Sequence, residues 1–257
     1  MFLFHLALGV STLSIGKIDM EMQLYRTAID FRERNGTGWD LVPIYVAEGV
    51  LYPTVLTALF FALSSLFHLL NATLLHSYYI KQLEKCRTPT RWVEYSLSAP
   101  VMMLLLAYSL GIRERALLFC LAVLVGITMP FGYWVETRSR PLSVDEWTLP
   151  LATRLLPWFI GHIPQTVAWT VVVVQLYDGN IDPNDSVPWW VYLILWAELL
   201  LFFSFGFASL LSQWGPPSLF YRGELAFQVL SLVSKGLLGI VLLTNVLMLS
   251  RFDEIYE

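Results

Sequence analysis

The chain has 257 residues, of which 56% are hydrophobic and 14% are charged, and its net charge at pH 7 is −4. Soluble domains carry about 25% charged residues, so the composition excludes an ordinary soluble enzyme, and the high apolar content excludes disorder. The negative charge offers no basic surface for nucleic acid, and Cys86 and Cys120 are too few for a disulfide framework or a metal site. We therefore predict a single all-α membrane domain over residues 1–257.

Seven stretches of the chain are apolar enough to cross a membrane, for which about 20 residues are needed. The first stretch is short, but it lacks the basic lead and the small-residue cleavage site of a signal peptide, so we interpret it as a helix. No tandem repeat relates the stretches, which disfavours a transporter built from repeats. The predicted spans are 2–16, 47–76, 90–112, 116–136, 150–176, 188–213 and 223–250.

The loops predict the orientation of these spans. Loops 77–91, 137–154 and 214–224, together with Glu136 at the end of the fourth span, hold eight basic and five acidic residues, whereas the opposite side holds seven basic and thirteen acidic ones. Short basic loops dominate orientation, and 77–91 is the compact basic cluster, so we predict a cytoplasmic N-terminus and an extracellular C-terminus. In the long first loop, on the extracellular side, the segment Trp39–Ala47 is typical of short strands.

Three charged residues, Glu94, Glu198 and Lys235, fall in the membrane interior, away from the ends of the predicted spans. Charges there are costly and mark functional sites. Lys235 lies about 12 residues into the last span, or roughly 18 Å deep, which is too far to reach either surface easily. A desolvated amine of this kind is nucleophilic toward an aldehyde and would form a Schiff base. The alternative is a lysine that only pairs with a buried carboxylate.

Glu94 is the natural partner of Lys235. It lies about 8 Å inside the third span, which starts on the same side of the membrane as the last span. Because helical side chains tilt toward the N-terminus of their helix, Lys235 reaches back toward the level of Glu94. Ser98 and Ser231 lie one turn away on the same faces, where they either hydrogen-bond near the ion pair or bond back to their own helices.

Two stretches around these charges carry a family resemblance. The first is Arg91–Tyr95, with the pattern RWxEY, and the second is Ser231–Lys235, with the pattern SLxxK. Together with Phe67–Leu70 and Glu136, they make the chain resemble the heliorhodopsins over nearly its whole length. Members of that family are seven-helix retinal photoreceptors with a cytoplasmic N-terminus.

This resemblance implies all-trans retinal on Lys235, Glu94 as its counterion, and a homodimer in the lipid bilayer. Histidines at the positions of His5 and His68 belong to a proton-accepting polar cluster in the family, and the resemblance implies that role here. Each histidine alone would be interpreted as a packed, hydrogen-bonded residue, but two on the side of Glu94 indicate a polar cavity.

Glu198 departs from the family pattern. It lies about ten residues past Pro188, or roughly 15 Å deep, near the middle of the bilayer. His162 lies about as deep on a neighbouring span. Glu198 is either a neutral carboxyl group bonded to a neighbour or placed at a dimer seam, or it is a proton relay together with His162. Some giant-virus heliorhodopsins pass protons, so this departure suggests a giant-virus member of the family.

A retinal pocket needs a long apolar slot with flat walls. Met102, eight residues past Glu94 on the same face, is a predicted wall residue, and Trp169 and Phe203 are predicted aromatic walls. We therefore predict a heliorhodopsin-type retinal photoreceptor, and Glu198 suggests light-gated proton transport as a second hypothesis. The alternatives are a purely sensory photoreceptor and a seven-helix transporter without a chromophore.

Overall fold

The computed structural model describes residues 1–34, 36, 38–139, 150–178, 187–214 and 218–248. Within these residues the chain forms eight α-helices and one two-stranded sheet. The helices are α1 Phe2–Ile15, α2 Pro53–Ala72, α3 His76–Glu84, α4 Pro89–Ser109, α5 Arg115–Trp134, α6 Leu151–Asp178, α7 Trp189–Trp214 and α8 Ser218–Leu242. Short π-helical segments continue α5 and α8 over Val135–Ser139 and Leu243–Leu247.

Five of these helices, α2, α5, α6, α7 and α8, are long and apolar enough to cross a membrane. The chain is therefore a multi-pass membrane protein. Helix α1 is apolar but only 14 residues long. Helix α4 has 21 residues and lies outside this group, and it carries the charged side chains of Arg91 and Glu94. The predicted count of seven spans thus depends on α1 and α4.

The predicted bounds of the second span, 47–76, are wrong at both ends. Residues up to Leu51 belong to a β-strand, and the helix starts at Pro53, whose fixed backbone angle suits the first turn of a helix. The helix ends at Ala72, and a separate short helix, α3, begins at His76. At the other end of the chain, residues 249–250 of the predicted last span lie outside the described residues.

The first loop folds into an antiparallel hairpin of β1 (Met22–Glu33) and β2 (Trp39–Leu51). The segment Trp39–Ala47, for which strands were predicted, lies in β2, whereas the polar sequence of β1 gave no such signal. Met22 is 1% exposed, and the hydroxyl of Tyr108 in α4 donates to the Gln23 carbonyl at 3.0 Å. These contacts fix the base of the hairpin against the end of α4.

Helix α4 lies at the centre of the bundle. It packs against α2 and α5 along its length and also contacts α7, while α8 packs against α7 and α1. Met103 and Leu105 of α4 are completely covered. The charged residues near the start of α4 are therefore enclosed by other helices and need partners inside the protein.

Candidate functional site

Lys235 and Glu94 form a buried ion pair. The Nζ atom of Lys235 lies 2.6 Å from Oε1 of Glu94, and the two residues are 3% and 4% exposed. Such a pair persists in a protein interior only when its geometry is good and further hydrogen bonds satisfy the charged atoms. The sequence prediction that α8 and α4 bring these side chains together agrees with this geometry.

Ser64 in α2 supplies one such hydrogen bond and was not predicted. Nζ of Lys235 donates to Oγ of Ser64 at 2.5 Å, and the Ser64 hydroxyl donates to the Phe60 carbonyl at 3.1 Å. The ring of Tyr95, next to Glu94, lies 5.1 Å from Nζ, within the range of a cation–π interaction. The available sequence signal was the adjacent pair Ser64 and Ser65, one turn before His68 in the same span.

Ser98 and Ser231 are both buried close to this pair but do not bond to it. In the described residues the hydrogen-bonding partners of the Lys235 amine are Glu94 and Ser64. The Ser98 hydroxyl has no partner there, and it faces an apolar cavity. Ser98 lies one turn deeper than Glu94, whereas the Lys235 side chain tilts back toward the start of α8, which explains the separation.

An apolar cavity extends from Lys235 between α4, α5, α6, α7 and α8. Its mostly apolar lining with a few polar groups is typical of small-molecule sites. Met102, a predicted wall residue, lines it. Aromatic side chains that also line it are Trp92, Tyr95, Phe131, Trp158, Phe202, Phe205 and Phe227.

The predicted wall residues Trp169 and Phe203 do not line this cavity. Trp169 is 2% exposed and packs edge-on against Phe202, with 5.3 Å between ring centroids. Phe203 lies beside His162, at 6.4 Å between centroids. Neighbouring residues on a helix point about 100° apart, so Phe202 faces the cavity and Phe203 does not.

A second, more polar cavity adjoins Glu94, and His68, Asn71, Tyr79 and Glu224 are among its lining residues. The rings of His5 and His68 stack at 5.5 Å with an angle of 4° between their planes. Both ring nitrogens of His5 and Nε2 of His68 are buried without a hydrogen-bond partner in the described residues. The two predicted histidines are therefore neighbours on the Glu94 side of the bundle.

The sequence placed Arg91, Glu136 and Glu224 in loops or at the membrane interface, which the structure corrects. All three are buried together at this end of the bundle. Arg91 forms ion pairs with both Glu136 and Glu224, and these residues are 6%, 4% and 9% exposed. The backbone N–H of Thr88 donates to Glu136 at 2.8 Å. The three side chains come from the first turn of α4, from α8 and from the segment after α5, and their mutual pairing makes the burial tolerable.

Tyr79 in the short helix α3 completes this cluster. Its hydroxyl donates to Glu224 at 3.3 Å. Burial, together with the Glu224 carboxylate, raises the pKa of Tyr79, so the phenol remains a donor at neutral pH. Helix α3 thus lines the second cavity and contributes a neutral phenol to the cluster instead of another charge.

Glu198 and His162, predicted to form a relay, have separate partners. Glu198 is fully buried and accepts a hydrogen bond from Ser234 at 2.6 Å. His162 Nδ1 lies 2.8 Å from the Trp158 carbonyl, and the two rings are 3.9 Å apart. The contact between Glu198 and Ser234, the residue before Lys235, was not predicted.

A helical membrane bundle with a buried lysine at the wall of an apolar cavity defines a rhodopsin-like protein. A light-driven proton pump from Leptosphaeria maculans has a similar fold, with a TM-score of 0.52 and 10% identity over 95% of this chain and 90% of that chain. The heliorhodopsin family model matches residues 1–247, and the chain belongs to this family. A comparison with curated proteins gives no match.

Membership of this family implies a retinal chromophore and a photoreceptor rather than a classical enzyme. The residues of the cavity fit such a ligand. An aldehyde that carries a long polyene needs an apolar slot with an amine at its wall, and the cavity supplies Lys235 among Met102, Phe202 and Phe205.

Proposed function

We propose that the protein is a retinal photoreceptor in which Lys235 holds all-trans retinal as a protonated Schiff base and Glu94 is the counterion. The observation that carries this proposal is the buried contact of 2.6 Å between Lys235 Nζ and Glu94 Oε1, beside the apolar cavity. Bound retinal supplies absorption of visible light and a light-driven isomerisation. The remaining functions belong to side chains of the protein.

The residues around Nζ hold its proton in the dark. Glu94 neutralises the positive charge and accepts the single N–H of the protonated Schiff base, the ring of Tyr95 faces the cation, and the Ser64 hydroxyl, which accepts from the free amine, lies beside it. The apolar cavity excludes water from the other side, so the ion pair remains strong in a medium of low polarity. A change of geometry at Nζ weakens this pair and frees the proton.

The polar cavity beside Glu94 is the proposed destination of that proton. His68 lines this cavity, His5 stacks on His68, and their unpartnered ring nitrogens accept protons. The Arg91–Glu136–Glu224 cluster, with Tyr79, lies at the same end of the bundle. His5 and His68 therefore form the proposed proton-accepting group.

The proposed topology has seven spans in a single domain over residues 1–257, with a cytoplasmic N-terminus and an extracellular C-terminus. The close packing of α1 against α2, and the contribution of His5 and Glu94 to one site, support counting α1 and α4 as spans. The basic loop 77–91 supports the orientation. The family resemblance supports a homodimer.

Light-gated proton transport is a second proposed activity, and Glu198 favours it over a purely sensory role. This carboxyl group is fully buried and hydrogen-bonded to the residue before Lys235. A buried acid so close to the proposed chromophore offers a second place for a proton besides the His5–His68 group, on a different helix.

The first experiment is the addition of all-trans retinal to the purified full-length protein. We expect a visible absorption band that resists removal of free retinal, because the chromophore is bound covalently. A protein that stays colourless would contradict the proposed function and favour a transporter without a chromophore.

A further inference from the structure

We propose that Ser234 is a positioning residue that links Glu198 to Nζ of Lys235 and allows Glu198 to return a proton to that atom. This inference rests on the proposed function of Lys235. It adds a return path for the proton, on the side of Lys235 away from Glu94.

The first support is the contact itself. Ser234 Oγ lies 2.6 Å from Glu198 Oε2, and the two residues are 1% and 0% exposed. Ser234 and Lys235 are neighbours on α8, and both line the apolar cavity. The hydroxyl therefore contacts the carboxyl group of α7 and belongs to a residue that lines the same cavity as the amine.

The second support is the balance of charge around Glu198. Among the described residues no cation pairs with it, because the Lys235 amine is already paired with Glu94. Its other oxygen, Oε1, is buried without a hydrogen-bond partner. An isolated buried carboxylate is very costly, so Glu198 is a neutral carboxylic acid that carries a proton.

The third support is the direction from which each carboxyl group approaches Lys235. Helices α4 and α8 begin at one end of the bundle and α7 begins at the other, since α7 and α8 are joined by a short connection. Glu94 lies five residues after the start of α4, or about 8 Å, and Glu198 lies nine residues after the start of α7, or about 14 Å. The two groups are therefore carried into the bundle from opposite ends, and Glu94 contacts Lys235 whereas Glu198 contacts Ser234.

The proposed step moves two protons and changes no other bond. The Ser234 hydroxyl, which donates to Glu198 in the structure, first rotates toward an unprotonated Nζ of Lys235. Its proton then passes to Nζ, while the Glu198 O–H proton passes to Oγ of Ser234. Glu198 becomes a carboxylate, Nζ becomes positively charged, and Ser234 is regenerated. A hydroxyl suits this role because it has one donor and two acceptor sites and rotates freely.

The first test uses the full-length protein without retinal. We expect infrared spectra to contain the carbonyl stretch of a protonated carboxyl group that disappears in Glu198→Gln and shifts to higher frequency in Ser234→Ala. The shift is expected because the carbonyl loses a hydrogen bond. Ser204→Ala in the same helix as Glu198, which removes a hydroxyl bonded to the Leu200 carbonyl, is the matched control. The absence of the band, or a band unaffected by Ser234→Ala, would overturn the inference.

The second test follows the return of the proton after a light flash in the pigment. We expect Ser234→Ala and Glu198→Gln each to slow it by at least ~100-fold, at the low end of the effect of a positioned proton-transfer group. Ser234→Thr, which keeps a hydroxyl, is expected to restore the rate. A normal pigment whose return rate is unchanged by Ser234→Ala would overturn this inference alone, whereas a colourless parent protein would overturn the proposed function with it.

Discussion

Nζ of Lys235 lies 2.6 Å from Oε1 of Glu94, across the interior of the bundle between α8 and α4. Both side chains are almost completely removed from solvent. Removing one partner of such a pair leaves an uncompensated buried charge, at a cost of about 3–5 kcal/mol. The two residues therefore depend on each other for stability as well as for the proposed function.

Replacement of Glu94 by Gln is expected to shift the absorption of the pigment to longer wavelength. The anion stabilises positive charge at the nitrogen more in the ground state than after excitation, so its removal narrows the energy gap. We also expect the deprotonated pigment, which absorbs in the near ultraviolet, to form at lower pH. Spectra across a pH series test both effects, and Glu84→Gln on exposed α3 is the control. An unshifted spectrum would assign the counterion to another residue.

Replacement of Lys235 by Ala is expected to abolish the pigment, because the amine is the proposed point of attachment. The measurement is visible absorbance after addition of all-trans retinal, followed by denaturation to distinguish covalent from free retinal. Lys81→Ala on exposed α3 should bind retinal like the parent. A covalent visible pigment in Lys235→Ala would disprove the assignment.

Replacement of Ser64 by Ala removes a hydrogen bond to a buried charged amine. Hydrogen bonds to charged groups contribute about 1.5–3 kcal/mol. We therefore expect a lower midpoint of thermal unfolding in detergent and, in the pigment, a shifted absorption maximum. Ser65→Ala is the matched control, since Ser65 is also buried but only makes a weak contact of 3.5 Å with the Phe2 carbonyl. Equal effects of the two variants would show that Ser64 has no specific role beside Lys235.

The sequence predicted the chemistry along the interior faces of helices better than it predicted contacts between helices. Lys235 and Glu94 stood out because charges are rare in apolar spans. Ser64 and Ser234 did not stand out, since a hydroxyl is common in membrane helices and its partner depends on helix rotation. Phe203 was predicted as a wall residue of the cavity, but Phe202 lines it instead. A run of aromatic residues does not reveal which of them faces inward.

The burial of the charge cluster shows a second limit of sequence reasoning. Arg91, Glu136 and Glu224 lie near predicted span ends, where charges normally reach water. The structure buries all three together because one guanidinium serves two carboxylates from α8 and the segment after α5. Pairing between residues 45 and 133 positions apart cannot be inferred from local sequence.

Replacement of Arg91 by Gln is expected to destabilise the protein by about 3–5 kcal/mol, because it leaves two buried carboxylates near each other without a cation. Thermal unfolding of the protein without retinal measures the effect. Lys85→Gln, an exposed cation between α3 and α4, should change the midpoint little. The additional change Glu136→Gln should recover part of the loss, and the absence of any recovery would contradict the proposed pairing.

Replacement of Glu198 by Gln separates proton transport from a purely sensory role. The amide keeps the size of the side chain but cannot release a proton, so we expect the visible pigment to form and the light-evoked current to be lost. Voltage-clamp recordings under illumination, at several proton gradients, measure the current. Ser204→Ala on the same helix controls for a general effect of substitutions in α7. A parent protein without photocurrent at any gradient would exclude transport and leave the sensory function, whereas an undiminished current in Glu198→Gln would place the transport path elsewhere.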